Sequence, residues 1–330
     1  MSAPATIAVV VPVHNAADYL PACLDAISAQ THSDFCCILV DDGSTDASPA
    51  LCDAAAQADS RFRVLHQRQM GVSAARAAGV RTGQQTGARW IAFCDADDLY
   101  HPAFLQTLLE AAHTTGQPVA CCRYDSFADT PPADATPAAA PRILTAPAHL
   151  DALLHDHRVD FSLCNKLYAR EVLDPAFLDN DFSYNEDLLA NWQVFSGISG
   201  IAFVDFEGYH YRQHAQSASH RPLTPASIDE QRRAALFIRE HAGPEMQQSA
   251  DAFYYEKLVY LASMILRRDN AADYRVQLNE LGVGITSGLK DRNLGRNPRL
   301  PLAIRLSAVA TAKFPALWQK FCRRYLRDRQ

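Results

Sequence analysis

The first 125 residues alternate short apolar runs with stretches of helical periodicity. The run at 7–13, IAVVVPV, is continuous and rich in β-branched residues, as expected for a strand buried on both faces of a parallel sheet. Further strand-like runs are FCCILV (35–40), FRVLHQ (62–67), WIAFC (90–94) and PVACCRY (118–124). Helical patterns lie between them, including GVSAARAAGVRTG (71–83) and FLQTLLEAA (104–112). This alternation predicts an α/β fold with a Rossmann-like, mostly parallel sheet flanked by helices, whose ligands bind at the carboxyl ends of the strands.

The remaining chain divides into a loop and two further segments. Residues 128–148 are rich in Pro and Ala without periodicity, which predicts an exposed loop. The loop separates residues 1–127, the first half of the α/β domain, from residues 149–224, its second half. The pattern over 225–330 is helical, which predicts a helical C-terminal extension with a basic end.

Charge is distributed unevenly along the 330 residues. From position 290 onward eleven Lys or Arg stand against two acids, a balance of +9. Since the whole chain carries −6, the first 289 residues carry about −15. This acidic body argues against nucleic acid as a partner, whereas the basic end favours an anionic partner such as a membrane.

The nine cysteines lie mostly in apolar runs and show no metal-ligand spacing. We therefore expect buried free thiols in a reducing cytosol rather than disulfides or a zinc site. The sequence shows neither a signal peptide nor an apolar run long enough to span a bilayer. These features predict a cytoplasmic protein.

Polar side chains collect at the ends of three predicted strands. They are His14 and Asn15 after the first, Asp41 and Asp42 after the second, and Asp95, Asp97 and Asp98 after the fourth. One such end is what any turn uses, but three on one edge would bring together five carboxylates, which repel one another without a cation. Carboxylates beside a phosphorylated ligand predict a Mn²⁺ or Mg²⁺ site that neutralises charge on a leaving nucleotide. The absence of GxxxxGK[ST] excludes a P-loop nucleotidase, and the lack of GxGxxG argues against dinucleotide binding.

VVVPVHN, DDGSTD, GVSAARAAG and FCDADD, in this order and spacing, resemble the inverting family 2 glycosyltransferases of the GT-A fold. The resemblance is close over residues 5–125 and looser through NKLY, YNED and YHYRQHAQS, a combination seen in members that build capsular or lipopolysaccharide glycans. It implies transfer of a sugar, with inversion and a divalent metal, from a nucleotide-diphosphate donor to a hydroxyl of a growing, sometimes lipid-linked, glycan. The donor expected from it is a UDP-sugar.

The same resemblance assigns roles at the donor. Around a uracil base it places Pro12, His14, Asn15 and Asp42, with the Asp42 carboxylate accepting from the base N3–H. His14 stands where the family usually has Tyr or Phe, so stacking would use an imidazole. Near the base and phosphates it places Arg76, and at the DXD motif Asp95, Ala96 and Asp97. Asp95 would face the ribose and metal, and Asp97 would ligate the metal directly.

The resemblance also implies roles for residues of the later motifs. YNED supplies the base: Asp187 is expected to deprotonate the acceptor hydroxyl while Glu186 orients or binds the acceptor, although the two roles could be exchanged. The alternative is an ordinary acidic first turn of a helix. Near the diphosphate the resemblance puts Arg212 and His214, with Tyr211 and Ser217, where a plain polar strand and loop is the other interpretation. Lys166 of NKLY lies either near the donor or in a structural strand.

The segment PALWQKFCRRYLRDRQ combines an apolar helical stripe with basic neighbours. Its stripe contains Leu317, Trp318, Phe321, Cys322, Tyr325 and Leu326, and beside it lie Lys320, Arg323, Arg324 and Arg327. This pattern predicts a helix on the inner face of the cell membrane, where lipid-linked acceptors would be made. A terminal helix that docks its stripe on the protein is the alternative.

Two other functions share parts of this pattern. A nucleotidyltransferase that makes sugar nucleotides would also use carboxylates and a metal, but HNAADYL lacks the Gly-rich basic loop expected after its first strand. A non-catalytic sugar-nucleotide or glycan-binding module would not need Asp95, Asp97 and Asp187. The sequence therefore favours the transferase.

Overall fold

A computed structural model describes residues 5–132, 140–179, 182–214 and 222–326. The chain forms two compact units, the first comprising residues 1–181 with 186–221 and the second 182–185 with 222–330. Ser217 and Arg327, singled out in the sequence, lie outside the described residues.

The first unit is built on one mixed sheet. In the described chain its nine strands are β1 Ile7–Val13, β2 Phe35–Asp42, β3 Phe62–Gln67, β4 Trp90–Phe93, β5 Leu99–Tyr100, β6 Val119–Phe127, β7 Arg142–Thr145, β8 Lys166–Ala169 and β9 Gly200–Arg212. Their order is β3-β2-β1-β4-β8-β6-β9-β5, with β7 pairing β9 separately. β1 to β4 pair in parallel, β8 runs antiparallel between β4 and β6, and β9 is again parallel to β6.

The apolar runs occupy the centre of this sheet. All of β2, and all of β1 except the half-buried Pro12, are buried, as predicted for strands covered on both faces. The chain winds outward from β1 to β2 and β3, then returns to place β4 on the other side of β1. The gap between β1 and β4 is therefore a topological switch point, where ligands of such sheets bind.

Helices cover the sheet. They are α1 Leu20–Ser28, α2 Ser48–Ala58, α3 Val72–Gln85, α4 Phe104–Thr115, α5 Ala148–His155 and α6 Glu186–Ser196. α3 approaches β1 closely because it carries small residues: a Cβ on Gly79 would lie 2.2 Å from Val10 Cγ1. The predicted α/β class with helices flanking the sheet is confirmed.

Two strands were not predicted. Residues 142–145, within the segment predicted to be an exposed loop, form β7 and pair antiparallel with β9. β5 has only two residues and pairs with β9 beyond the acidic end of β4. Both gain their hydrogen bonds from a distant strand, which a local pattern does not reveal.

The second unit is helical. The described part contains α7 Pro225–His241, α8 Gln247–Leu266, α9 Arg275–Lys290, α10 Leu302–Lys313 and α11 Pro315–Tyr325. Thr224 begins α7 with a capping box to Ser227. The apolar core gathers around α8, where Tyr255, Leu258 and Ile265 are buried. In the described chain, none of the helices has both the length and the apolar character needed to cross a membrane.

All nine cysteines are buried and free, as expected. They sit inside strands and helix faces, where a thiol packs as a small apolar group. Burial raises the pKa of the Cys52 thiol to about 12, so this thiol stays protonated and unreactive at neutral pH.

Candidate active site

The strand ends that carry the predicted site residues share one edge of the sheet. Val13, the last residue of β1, is in register with Asp41 of β2, and both strands run parallel to β4. β9 runs in the same direction as these strands, so Arg212 at its end reaches the same edge. Their common direction brings four separate motifs to the switch point.

His14 and Asn15 are exposed just beyond β1. The His14 Nδ1 lies 2.9 Å from the Asp42 carbonyl oxygen, which ties the first motif to the second. Asn15 adopts a left-handed φ of 50° and accepts a hydrogen bond from the Thr45 N–H at 2.8 Å. Both side chains therefore have fixed places at the rim.

Asp42 is buried and is bonded to the segment that precedes α3. Its side chain belongs to a residue that is 3% exposed, and its carboxylate accepts from the Met70 N–H at 2.8 Å and the Gly71 N–H at 2.7 Å. Gln67 donates to it as well, at 2.7 Å. Gly71 holds a left-handed φ of 93° there, which glycine adopts without strain. Asp42 thus shapes the turn that begins α3, while its predicted contact with a base stays a prediction.

Arg76 joins the donor motif to the YNED motif. It lies on α3 and is 4% exposed. One terminal nitrogen donates to Asp187 Oδ1 at 2.6 Å, and the other to Asp95 Oδ1 at 2.8 Å. Glu186 Oε1 lies 3.6 Å from the same guanidinium. Arg76 thus bridges carboxylates of the donor motif and the YNED motif, and its predicted place beside the base and phosphates stays a prediction.

The DADD segment is hydrogen-bonded to residues at and just beyond the end of β9. Asp97 Oδ2 lies 2.9 Å from His214 Nε2, and the Asp97 carbonyl accepts from Arg212 Nε at 2.9 Å. Tyr19, at the start of α1, stacks on His214 with ring centroids 4.4 Å apart, and the Arg212 guanidinium lies 5.5 Å from the Tyr19 ring. Arg212 and His214 therefore lie against the DADD segment, and their predicted contact with the diphosphate stays a prediction.

Asp98 is the anchor of this arrangement. It is 1% exposed and accepts from the Arg212 backbone N–H at 2.7 Å and from the Tyr209 hydroxyl. The Tyr209 hydroxyl also accepts from the Asp95 N–H at 3.2 Å. The buried Ala96 lies between Asp95 and Asp97, which are both half-buried. Asp98 thus fixes the backbone from which Asp95 and Asp97 extend.

The carboxylates of the site disfavour one another's ionised forms. Burial raises the pKa of Asp97, and the nearby Asp95 carboxylate raises it further. Burial, with the adjacent Asp187 carboxylate, raises the pKa of Glu186 to about 7. Burial also raises the pKa of Asp187 despite the opposing Arg76 charge. One buried guanidinium does not balance this much acid, so the edge attracts an additional cation.

The residues fit a hard divalent cation that binds together with a diphosphate. Asp95 and Asp97 both keep exposed side-chain surface, at 34% and 29%. Groups of three or more His, Cys, Asp or Glu side chains placed to hold a metal do not occur in the described ranges. Mg²⁺ at phosphates commonly uses one or two carboxylates and takes its other ligands from phosphate and water.

Lys166 has a structural place. It is fully buried, and its ammonium donates to the carbonyls of Val159, Asp160 and Ser162 at 3.1, 2.9 and 2.6 Å. Burial lowers its pKa. Of the two interpretations of NKLY, the structure selects the structural strand, and Lys166 organises the loop that precedes it.

Sequence reasoning did not single out Tyr19 or Tyr209 as parts of the site, and it named Asp98 only as one of the acids after the fourth strand. Asp98 is the third acid of DADD, and Tyr209 is the first aromatic residue of YHYR. Tyr19 gave no signal, because only the fold brings α1 beside the end of β9.

The comparisons with known proteins agree with this geometry. The family model described as Glycosyl transferase family 2 matches residues 8–177. The uncharacterized glycosyltransferase EpsJ of Bacillus subtilis is 31% identical over 245 residues, covering 72% of this chain and 70% of EpsJ.

Solved structures share the fold. TarS 1-349 of S. aureus, in complex with UDP-GlcNAc, has a TM-score of 0.73 at 17% identity, with 97% of this chain and 91% of that chain covered. Mannosyltransferase PcManGT of Pyrobaculum calidifontis, in complex with GDP-Man and Mn²⁺, has a TM-score of 0.54 at 13% identity, with 94% and 88% covered. These likenesses confirm the predicted fold class.

Proposed function

Since this chain belongs to the family 2 glycosyltransferases, we propose that it transfers a sugar from a UDP-sugar to a hydroxyl of a growing surface glycan, with inversion. Family membership confirms the transferase prediction over the nucleotidyltransferase and the binding module. The observation that carries the detailed proposal is the Arg76 bridge, 2.8 Å to Asp95 and 2.6 Å to Asp187. It joins the donor motif to the motif expected to serve the acceptor.

Different residues along the sheet edge are proposed to bind different parts of the donor. His14 and Asn15 would receive the base at the exposed end of β1. Arg212 and His214, held against Tyr19, would lie on the diphosphate side. The likeness to TarS bound to UDP-GlcNAc supports a uridine donor.

Asp187 is the proposed general base and Glu186 the proposed acceptor-binding carboxylate. Arg76 donates to Asp187 Oδ1 and the Leu163 N–H to Asp187 Oδ2, at 2.6 and 3.4 Å, so that carboxylate is oriented from two sides. Asp187 would take the proton of the acceptor hydroxyl as the hydroxyl attacks the anomeric carbon from the face opposite the nucleotide. A single displacement of this kind inverts the anomeric configuration.

Asp97 and Asp95 are the proposed ligands of a Mn²⁺ or Mg²⁺ ion. When bound, the ion would supply Lewis-acid stabilisation of the negative charge on the leaving diphosphate. Support comes from the mutual carboxylate repulsion at this edge and from the Mn²⁺ in the structure of the similar mannosyltransferase.

The test is UDP release from a panel of UDP-sugars, with Mn²⁺ or with EDTA. We expect release by the wild type to need the metal and to be mostly lost in Asp97→Asn. Asp53→Asn is the matched control, because this α2 carboxylate is 54% exposed and lies outside the site. Normal turnover of Asp97→Asn in EDTA would contradict the metal site, and pyrophosphate as product would contradict the transferase.

A peripheral membrane position at the cytoplasmic face completes the proposal. Leu317, Phe321 and Tyr325 of α11 are exposed, at 68%, 43% and 60%. The α10 side chains Leu302 and Leu306 are exposed as well. Only part of the predicted stripe docks on the protein, through the fully buried Cys322. An exposed apolar stripe among basic residues suits an anionic lipid surface.

A further inference from the structure

The loop at 159–163 is held more tightly than its exposed position requires. The Lys166 ammonium gathers three of its carbonyls, and Asn191 Nδ2 donates to the Phe161 carbonyl at 2.9 Å. Asp160 takes a left-handed φ of 52°, and its carboxylate accepts the Ser162 N–H at 2.7 Å. Both Lys166 and Asn191 are fully buried. Two buried polar side chains thus fix a short surface loop in one conformation.

This loop touches the proposed base and carries an exposed aromatic residue. The Leu163 N–H donates to Asp187 Oδ2 at 3.4 Å, only two residues from Phe161. Phe161 is nevertheless 46% exposed. A rigid backbone that leaves a phenyl ring in water, two residues from the contact with the proposed base, is typical of a surface that meets a ligand.

A second exposed ring comes from β6. Tyr124 is 40% exposed and is in register with Tyr209 of β9, whose hydroxyl bonds Asp98. Paired neighbours project to the same face of a sheet, so Tyr124 lies on the face that carries the acidic motif. Asn165 Nδ2 donates to the carbonyl of Cys122, two residues before Tyr124, at 2.7 Å and to the carbonyl of Val159 at 3.3 Å, so this part of β6 lies against the 159–163 loop.

We propose that Phe161 and Tyr124 form a stacking platform for a sugar ring of the acceptor, next to Glu186 and Asp187. The proposal rests on the function given above. A pyranose has an apolar face of C–H groups and a polar rim of hydroxyls, so a flat ring buries that face while the hydroxyls stay available. The loop that carries Phe161 contacts Asp187 through the Leu163 N–H. It does not belong to the ends of β1 and β2, where the donor is proposed to bind, so we assign the platform to the acceptor.

The platform can be tested without knowing the natural acceptor. The probes are the methyl β-glycosides of glucose, galactose and N-acetylglucosamine, titrated against the full chain with UDP and Mg²⁺ and followed by saturation-transfer NMR. We expect saturation of the C–H protons on one ring face and, in Phe161→Ala and Tyr124→Ala, roughly tenfold weaker binding for a lost ring contact of this size. Phe161→Trp and Tyr124→Phe should retain binding.

Controls separate the platform from fold and donor. Tyr260→Ala is the matched control, an aromatic of α8 that is 52% exposed. UDP affinity and melting temperature should be unchanged in every variant, because both rings are exposed and neither is placed at the donor. Equal glycoside affinity in the wild type and the Phe161→Ala/Tyr124→Ala double variant would overturn the platform, as would no saturation of any probe. Absence of UDP binding by the wild type would instead contradict the proposed function.

Discussion

At the scale of single residues, two buried cations organise the site. Arg76 holds carboxylates from two motifs that are 92 positions apart in the chain, Asp95 and Asp187. Lys166 gathers backbone carbonyls of the loop that contacts Asp187. Arginine suits the position between Asp95 and Asp187 because its planar guanidinium donates to two carboxylates at once. Lysine suits the position under the loop because its compact ammonium has three rotatable N–H donors, which can reach carbonyls in several directions.

Replacing the proposed base should separate binding from transfer. In Asp187→Asn the amide keeps the shape of the carboxylate but takes no proton, so UDP should still bind while transfer falls by roughly 10²–10⁴-fold. Calorimetry with UDP and product formation measure the two effects. NMR of the product should show an inverted anomeric centre.

Glu186→Gln is the internal control for this assignment. If Asp187→Asn transfers at a near-normal rate while Glu186→Gln is inactive, the base is Glu186. Retained activity in both variants, or a product with the configuration of the donor, would contradict the mechanism.

The raised pKa of Glu186 also predicts a dependence of stability on pH. Its pKa rises from 4.5 to about 7 in the folded chain, mainly through burial and then through Asp187. Between these values the folded state keeps a proton that the unfolded state has lost, so the free energy of unfolding falls as pH rises through this window. Glutamine does not ionise and avoids the loss.

We therefore expect Glu186→Gln to melt at a higher temperature than the wild type at pH 8 but not at pH 4, where both states are protonated. Glu256→Gln, at an exposed position of α8, is the matched control and should show no such difference. A gain of the same size at both values of pH would indicate a cause other than ionisation.

At the scale of elements, the small residues of α3 set the distance between helix and sheet. Gly79 faces Val10 and Val40, and Gly83 faces Ala8 and Ile91. This close approach places Arg76, on the same helix, within reach of the end of β4. Gly79 and Gly83 thus make the second half of α3 a packing motif.

Gly79→Ala should destabilise the protein. The added Cβ would lie 2.2 Å from Val10 Cγ1, and a β-branched neighbour at the centre of a sheet yields little. Overpacking of this kind costs about 1–3 kcal/mol. Denaturant unfolding measures the loss.

Gly282→Ala on α9 is the matched substitution. No atom lies within 4 Å of a Cβ added there, so this variant should be more stable by about 0.5–1 kcal/mol through helix propensity alone. Equal effects of the two alanines would contradict the packing argument.

At the scale of the whole molecule, the charge asymmetry predicts how the protein meets a membrane. The region from 290 onward carries +9 and the rest about −15. Flotation with vesicles of phosphatidylcholine and phosphatidylglycerol should therefore be strong at low salt, weak at high salt and weak on phosphatidylcholine alone. Each basic residue near such a surface adds about 1 kcal/mol, so Lys320→Gln should weaken binding about fivefold.

The apolar part of that surface has its own variants. Leu317→Ser and Phe321→Ser should reduce flotation without lowering the melting temperature, because both side chains are exposed. Val276→Ser on α9, at 66% exposed, is the control. If flotation is unchanged while the melting temperature drops, α11 is a structural helix.

The sequence by itself determined five of the nine strands in the described chain, the class of the fold and the family. β1 and β3 were predicted over their full ranges, and β2 was predicted from its first residue. For β1 and β2 the reason is that continuous apolar runs have one stable place in an α/β sheet. The polar strand ends His14, Asp42 and Asp95 were found for the same reason, since parallel strands end at a common edge.

The tertiary structure alone decided which side chains meet. Arg76 bridges Asp95 and Asp187, a pairing that the sequence did not predict, and the ring of Tyr19 stacks on His214 across 195 positions of sequence. Local patterns report burial and periodicity, but a hydrogen bond between distant segments depends on how far each helix stands from the sheet. In this protein that distance is set by the contact of Gly79 with Val10, which no single segment of the sequence contains.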